Sequence, residues 1–92
     1  MSGRPLTLIY GRQFFRTAQH LDASTRRALR VTLDAIEAAA AGELPDEADV
    51  RDILAPTTPC WRRRIGASAW WLFYELKDDR VIAVAVAIPV TP

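Results

Sequence analysis

Apolar residues recur along this chain with two different periods, and the changes between them mark out the elements. Leu6 to Tyr10 alternates after Pro5 and ends at Gly11, which predicts a short first strand. From Arg12 the period lengthens, and Phe14, Phe15, Ala18 and Leu21 face a core from a short helix over Arg12 to Leu21. Asp22 or Ser24 caps a second helix that runs to Ala41 and stops at Gly42. Its Leu29, Leu33, Ile36 and Ala40 form one buried stripe, with Arg30 and Asp34 as an exposed i,i+4 pair on the opposite side. Glu43 to Pro59 carries Pro45, Pro56 and Pro59 and reads as a connector, in which Val50, Ile53 and Leu54 pin the chain back onto the core. From Cys60 the period returns to two. Two aromatic-rich runs flank the small turn Ala67-Ser68-Ala69, and a third apolar run follows Lys77-Asp78-Asp79-Arg80. This predicts a three-stranded antiparallel meander.

The order is therefore β-α-α-β-β-β. The fold class is α+β, with an antiparallel sheet and the two N-terminal helices packed on one face, because a small meander must bury one side. Counting outward from a turn centred on Ala67-Ser68 pairs Ile65 with Trp70, Arg64 with Trp71, Arg63 with Leu72, Arg62 with Phe73, and Trp61 with Tyr74. Alternation sends Trp61, Ile65, Trp70, Leu72 and Tyr74 to the core. Arg62, Arg64, Trp71, Phe73 and Glu75 go to the other face. Arg63 lands on the apolar side opposite Leu72, so it either snorkels past the sheet edge or signals a different register.

Two guanidinium groups beside two aromatic rings can each lie over a ring while keeping donors free for a phosphate or carboxylate. Rings left bare on a sheet call for a cover. An RNA base, an amphipathic segment of a partner protein, or the chain's own connector or C-terminal tail would each serve.

Composition narrows this picture without deciding it. The 92 residues are expected to form a single domain, with 25% charged and 50% hydrophobic residues and a net charge of +1. Charge is unevenly placed: Glu43 to Asp52 holds five acids against Arg51, while Trp61 to Gly66 holds three arginines and no acid. Cys60 is the only cysteine and His20 the only histidine, so neither a disulfide framework nor a metal site is expected, and no cofactor. His20 reads as a solvated residue at the end of the first helix, and Arg26-Arg27-Arg30 as a solvated face that would also suit nucleic acid. No segment reads as a signal peptide or membrane span, which makes the cytoplasm the expected location.

Val50-Arg51-Asp52-Ile53-Leu54 before a Pro/Thr loop, Trp61-Arg62-Arg63-Arg64-Ile65-Gly66, Trp70-Trp71-Leu72-Phe73-Tyr74 and Asp78-Asp79-Arg80-Val81-Ile82 together resemble the RelE/ParE toxin superfamily of type II toxin–antitoxin systems. The resemblance covers most of the chain. It implies a growth-inhibiting toxin held inactive by a cognate antitoxin protein. In the ribonuclease members two basic residues of the second meander strand act on RNA, and these map to Arg62 and Arg64. A third-strand arginine maps to Trp71, and the apolar slot between the two basic positions holds Arg63. A basic or histidine group and an aromatic follow the last strand in those members. This sequence ends at Val90-Thr91-Pro92, so those groups are expected to be missing.

Cleavage of RNA by its own 2′-hydroxyl needs a base, an acid and cationic stabilisation of the phosphorane. Arg62 and Arg64 supply the last, and Glu75 is the carboxylate placed to act as base. No general acid is evident, and each missing group forgoes about 10²–10⁴-fold in rate. The resemblance leaves three readings: a ribosome-dependent endoribonuclease acting on mRNA, a toxin that binds DNA gyrase, and a catalytically degenerate fold acting only in protein binding. Trp71, Phe73 and Arg63 are the expected substrate- or partner-binding residues.

Overall fold

The computed structural model describes residues 7–39, 43–55, 58–77 and 80–88, and side chains within these except at 52–55, 58 and 59. Its elements are β1 (Thr7–Tyr10), α1 (Arg12–Ala18), α2 (Ala23–Ala38), β2 (Asp49–Ala55), β3 (Thr58–Arg64), β4 (Trp71–Lys77) and β5 (Arg80–Ala87). The strands form one sheet in the order β1-β5-β4-β3-β2. The α+β class and the paired N-terminal helices stand as the sequence predicts, with two differences in the sheet. The connector contributes a strand of its own, β2, antiparallel to β3. The first strand lies parallel to the last, Thr7 beside Arg80 and Tyr10 beside Ala83, so the sheet is mixed rather than wholly antiparallel. A parallel partner leaves no local trace in a sequence, because its connection spans the whole domain.

The helices begin and end for local reasons. Asp22 holds an extended backbone and accepts a 2.8 Å hydrogen bond from the Thr25 amide, which makes it the N-cap of α2. Hydrogen bonding to Thr25, through its side chain first and its amide second, aided by Arg26 and Arg27, holds the Asp22 carboxyl below its usual pKa. Leu29, Leu33 and Ile36 are buried as the stripe predicts, while Ala40 lies outside the described residues. α1 is shorter than expected. It ends at Ala18, and although Phe14 and Leu21 are buried, Phe15 is 58% exposed.

The core joins Phe14, Leu21, Leu29, Leu33 and Ile36 from the helical layer to Ile65, Leu72, Tyr74, Val81, Ala83 and Val86 from the sheet. The observed β3–β4 register is Trp61↔Tyr74, Arg62↔Phe73, Arg63↔Leu72 and Arg64↔Trp71, as counted from the turn. Alternate residues of β3, β4 and β5 thus point at the helices, and the others point away. An irregularity between Phe73 and Tyr74 places Val84 as an extra residue on β5.

Arg63 therefore does face the helical side, and the structure resolves the misfit with an ion pair. Its Nε and Nη2 donate to the two Asp49 carboxylate oxygens at 2.8 and 2.7 Å, and Nη2 lies 3.1 Å from Asp46. The Asp49 side chain is fully buried and that of Arg63 is 11% exposed. Asp46 in turn fixes the approach to β2: its amide donates to Asp49, and its carboxylate accepts from the Ala48 amide. Burial alone would raise the Asp49 pKa. Hydrogen bonds from Arg63 and the Asp46 amide, with the neighbouring Tyr74 hydroxyl, outweigh it and hold the carboxyl below 3.8. The Arg63 guanidinium is held charged mainly by its bonds to Asp49. Burial, then the adjacent carboxylate, pushes the Tyr74 phenol far above its ordinary value, and its buried hydroxyl makes no well-formed hydrogen bond among the described residues.

Removing one partner of such a pair strands the other charge away from water. Arg63→Ala is expected to cost about 3–5 kcal/mol in urea unfolding at neutral pH. Because the folded pKa of Asp49 lies below its unfolded value, its contribution is fully present above about pH 4 and is lost as pH falls through the folded value. The stability gap between the native chain and Asp49→Asn should accordingly close as the pH is lowered below 3.8, and a gap that widened would refute the assignment.

Candidate functional site

The candidate site is the face of the sheet turned away from the helices, where β3 and β4 present Arg62, Arg64, Trp71, Phe73 and Glu75. Their placement follows from the hairpin. Gly66 adopts φ +57° in the turn, a conformation that side chains disfavour. The Ser68 amide donates to the Ile65 carbonyl at 3.1 Å, and the Ile65 amide to the Trp70 carbonyl at 2.9 Å. The Ser68 hydroxyl locks the same turn, donating to the Ile65 carbonyl at 2.6 Å and accepting from the Trp70 amide at 3.1 Å.

Within this frame the two arginines have different fates. The Arg62 guanidinium lies over the Trp71 indole, 4.9 Å from the ring centroid. A cation over an indole is a combination that suits a phosphate or a carboxylate, and the Arg62 Nε is buried in this arrangement. Arg64 is exposed but held by the turn: its Nε donates to the Ser68 carbonyl at 2.8 Å and an Nη donates to Ala67 at 3.4 Å. Arg64 stands across from Trp71 in the β3–β4 register.

Phe73 differs from the bare ring that alternation predicts, being only 3% exposed. It stands on the central strand of the sheet, paired with Arg62 on β3 and Ala85 on β5, and so has neighbours on both sides. The exposed aromatic surface is thereby reduced to the half-buried Trp71. Glu75 is half-buried on the same face, paired with Ile82. Arg63, expected to contact substrate or partner, points to the other side and is engaged by Asp49. The structure brings Arg62, Arg64 and Trp71 together and places Arg63 apart from them. Cys60 is buried. The residues beyond 88, where a tail covering this face would begin, lie outside the described set.

Sequence reasoning missed the role of Asp49. The signal was present, since an acidic run and an arginine run could neutralise one another as paired strands. A second cation–aromatic contact also went unread: Arg51 lies over Trp61 at 5.9 Å on the helical side of the β2–β3 edge. Among the described residues no group of His, Cys, Asp and Glu is arranged to hold a metal ion, and no helix is long and apolar enough to cross a membrane.

No protein-family model matches the chain, and no curated protein matches its sequence. The fold does have a solved counterpart. The chain superposes on a protein of the archaeal RelE–RelB complex from Pyrococcus horikoshii OT3 with a TM-score of 0.66, covering 96% of each chain at 16% sequence identity. At that identity the likeness establishes a RelE-like fold.

The hairpin turn that aligns the arginines has little tolerance for a side chain at its first position. A Cβ on Gly66 would sit 3.0 Å from the Ala28 side chain and impose left-handed strain. Gly66→Ala is expected to destabilise the domain by about 1–2 kcal/mol in chemical denaturation. An unchanged midpoint would show that the turn relaxes freely.

Proposed function

We propose that this protein is a RelE-like toxin whose helix-free face grips a nucleic-acid backbone, inhibiting growth until a cognate antitoxin protein neutralises it. One observation carries the reading: Arg62 lies over Trp71 beside the exposed Arg64, on a fold shared with a RelE–RelB complex component. A guanidinium–indole platform attracts phosphate through its positive charge and a base through its ring surface, and it needs no particular sequence in the strand it holds. Ribosome-bound mRNA is the substrate this chemistry suits best.

Cleavage is a second step that the face serves less well. Arg62 and Arg64 supply charge for a developing phosphorane, and Glu75 is the carboxylate on the same face to take the 2′-hydroxyl proton. Among the described residues of this face the leaving 5′-oxygen finds no acid, since arginine keeps its proton at any physiological pH. Trp71 holds the position where the resemblance implies a further arginine. The site is thus a strong holder of RNA and a slow cutter. Binding to gyrase is the second target reading, favoured by that same replacement. A role confined to protein binding is the alternative; burial of Phe73, which leaves only one ring open on this face, speaks against it.

Induced expression with primer extension on cellular mRNA separates these. Discrete cuts support the ribonuclease, intact mRNA with arrested replication supports gyrase, and harmless expression supports the protein-binding role. In direct binding, Trp71→Ala should weaken affinity for a single-stranded RNA oligonucleotide by about 1–3 kcal/mol, the worth of one stacked base. Arg62→Ala and Arg64→Ala should each reduce the steepness of the salt dependence by about one contact. RNA affinity indifferent to all three substitutions would remove the nucleic-acid reading.

A further inference from the structure

We propose that Ser68 is a positioning residue of the helix-free face: its hydroxyl shapes the β3–β4 turn whose carbonyls hold Arg64 ready for a phosphate. The inference rests on the nucleic-acid reading of that face and adds to it a residue that acts through Arg64. In the loop from Gly66 to Ala69, Ser68 carries the one polar side chain, and the residue is half-buried.

A tight hairpin normally closes with a reciprocal pair of amide–carbonyl bonds between the residues that flank it. Here one of the pair is direct, from the Ile65 amide to the Trp70 carbonyl at 2.9 Å. The other passes through Ser68. The Trp70 amide donates to the Ser68 Oγ at 3.1 Å, and that oxygen donates in turn to the Ile65 carbonyl at 2.6 Å. The hydroxyl thus stands in for a rung of the ladder. Because the Ile65 carbonyl also accepts from the Ser68 amide at 3.1 Å, residue 68 is held by backbone and side chain together.

Residue 68 in its turn holds Arg64. The Ser68 carbonyl accepts from the Arg64 Nε at 2.8 Å, and the Ala67 carbonyl accepts from Nη2 at 3.4 Å. Carbonyls are neutral acceptors, so they orient a guanidinium without cancelling its charge. The Asp49 carboxylate does both to Arg63, which is why Arg63 is spent on the fold. A phosphate arriving opposite Trp71 therefore meets an exposed cation that is already oriented and not neutralised. Ordering such a side chain in advance spares about two- to tenfold in affinity. Without the hydroxyl the Trp70 amide loses its acceptor, the carbonyls of residues 67 and 68 are free to turn, and Arg64 loses its seat.

Two readouts on the intact chain test this, with Ser68→Ala and Ser68→Thr as the variants and circular dichroism to check that each stays folded. The first needs no RNA. The Arg64 Nε–H, followed by nitrogen-15 NMR, should exchange slowly with water in the native chain and in Ser68→Thr, which keeps a hydroxyl, and rapidly in Ser68→Ala. The second is the affinity for a fluorescein-labelled single-stranded RNA oligonucleotide. Ser68→Ala should weaken it by about two- to tenfold, Ser68→Thr should restore it, and Ser68→Ala should have no further effect once Arg64→Ala is present. Slow exchange surviving in Ser68→Ala, threonine behaving like alanine, or an undiminished Ser68→Ala loss in the Arg64→Ala background would each overturn the proposal. A native chain that binds no RNA removes the nucleic-acid reading and this inference with it, whereas RNA binding indifferent to Ser68→Ala removes this inference alone.

Discussion

Because successive side chains of a strand point to opposite faces, the run Arg62-Arg63-Arg64 cannot keep all three guanidinium groups in water once the helices settle on the sheet. The fold is organised around that constraint. Two arginines reach the open face and one is driven inward, where burial of an unpaired cation would be prohibitive. The inward charge is met by Asp49, and Asp49 can meet it only if the connector adds a strand beside β3. The extra strand, the acidic turn before it and the arrangement of the candidate site thus share one electrostatic origin. The inward ion pair also lies on β2, at the sheet edge, where buried charge discourages pairing with another chain.

The open face is correspondingly specialised. One arginine is laid on an indole and the other is tethered to the carbonyls of its own turn, so both are ordered before any ligand arrives. Preorganisation of long side chains removes an entropic cost that binding would otherwise meet. On the proposed reading, holding RNA is served by such order, and cleaving it would require a proton donor in addition.

How much of this was legible in the sequence follows from which interactions are local. The β3–β4 register was readable residue by residue, since a tight turn and strict alternation fix it over a few positions. The stripe of α2 and its Asp22 cap were readable for the same reason. β2 was not, because Val50 to Ala55 lies among prolines and acids that mark a loop. Pro59 is accommodated in β3 because it stands beyond the stretch that β4 reaches, where a missing donor is tolerated. The parallel β1–β5 contact and the Arg63–Asp49 pair join positions far apart in the chain, so no window of sequence contains them. The candidate site was legible as a face, with Arg62 and Trp71 on it. The burial of Phe73 was not, because alternation assigns a side and says nothing about crowding.

The pairing of β1 with β5 has a consequence for how the molecule comes into being. The first strand of this sheet waits, without its hydrogen-bonding partner, until every other strand of the sheet has followed it. Contacts of such long sequence separation form late and slowly. The sheet that carries the arginine-bearing surface is therefore completed only once β5 has been made.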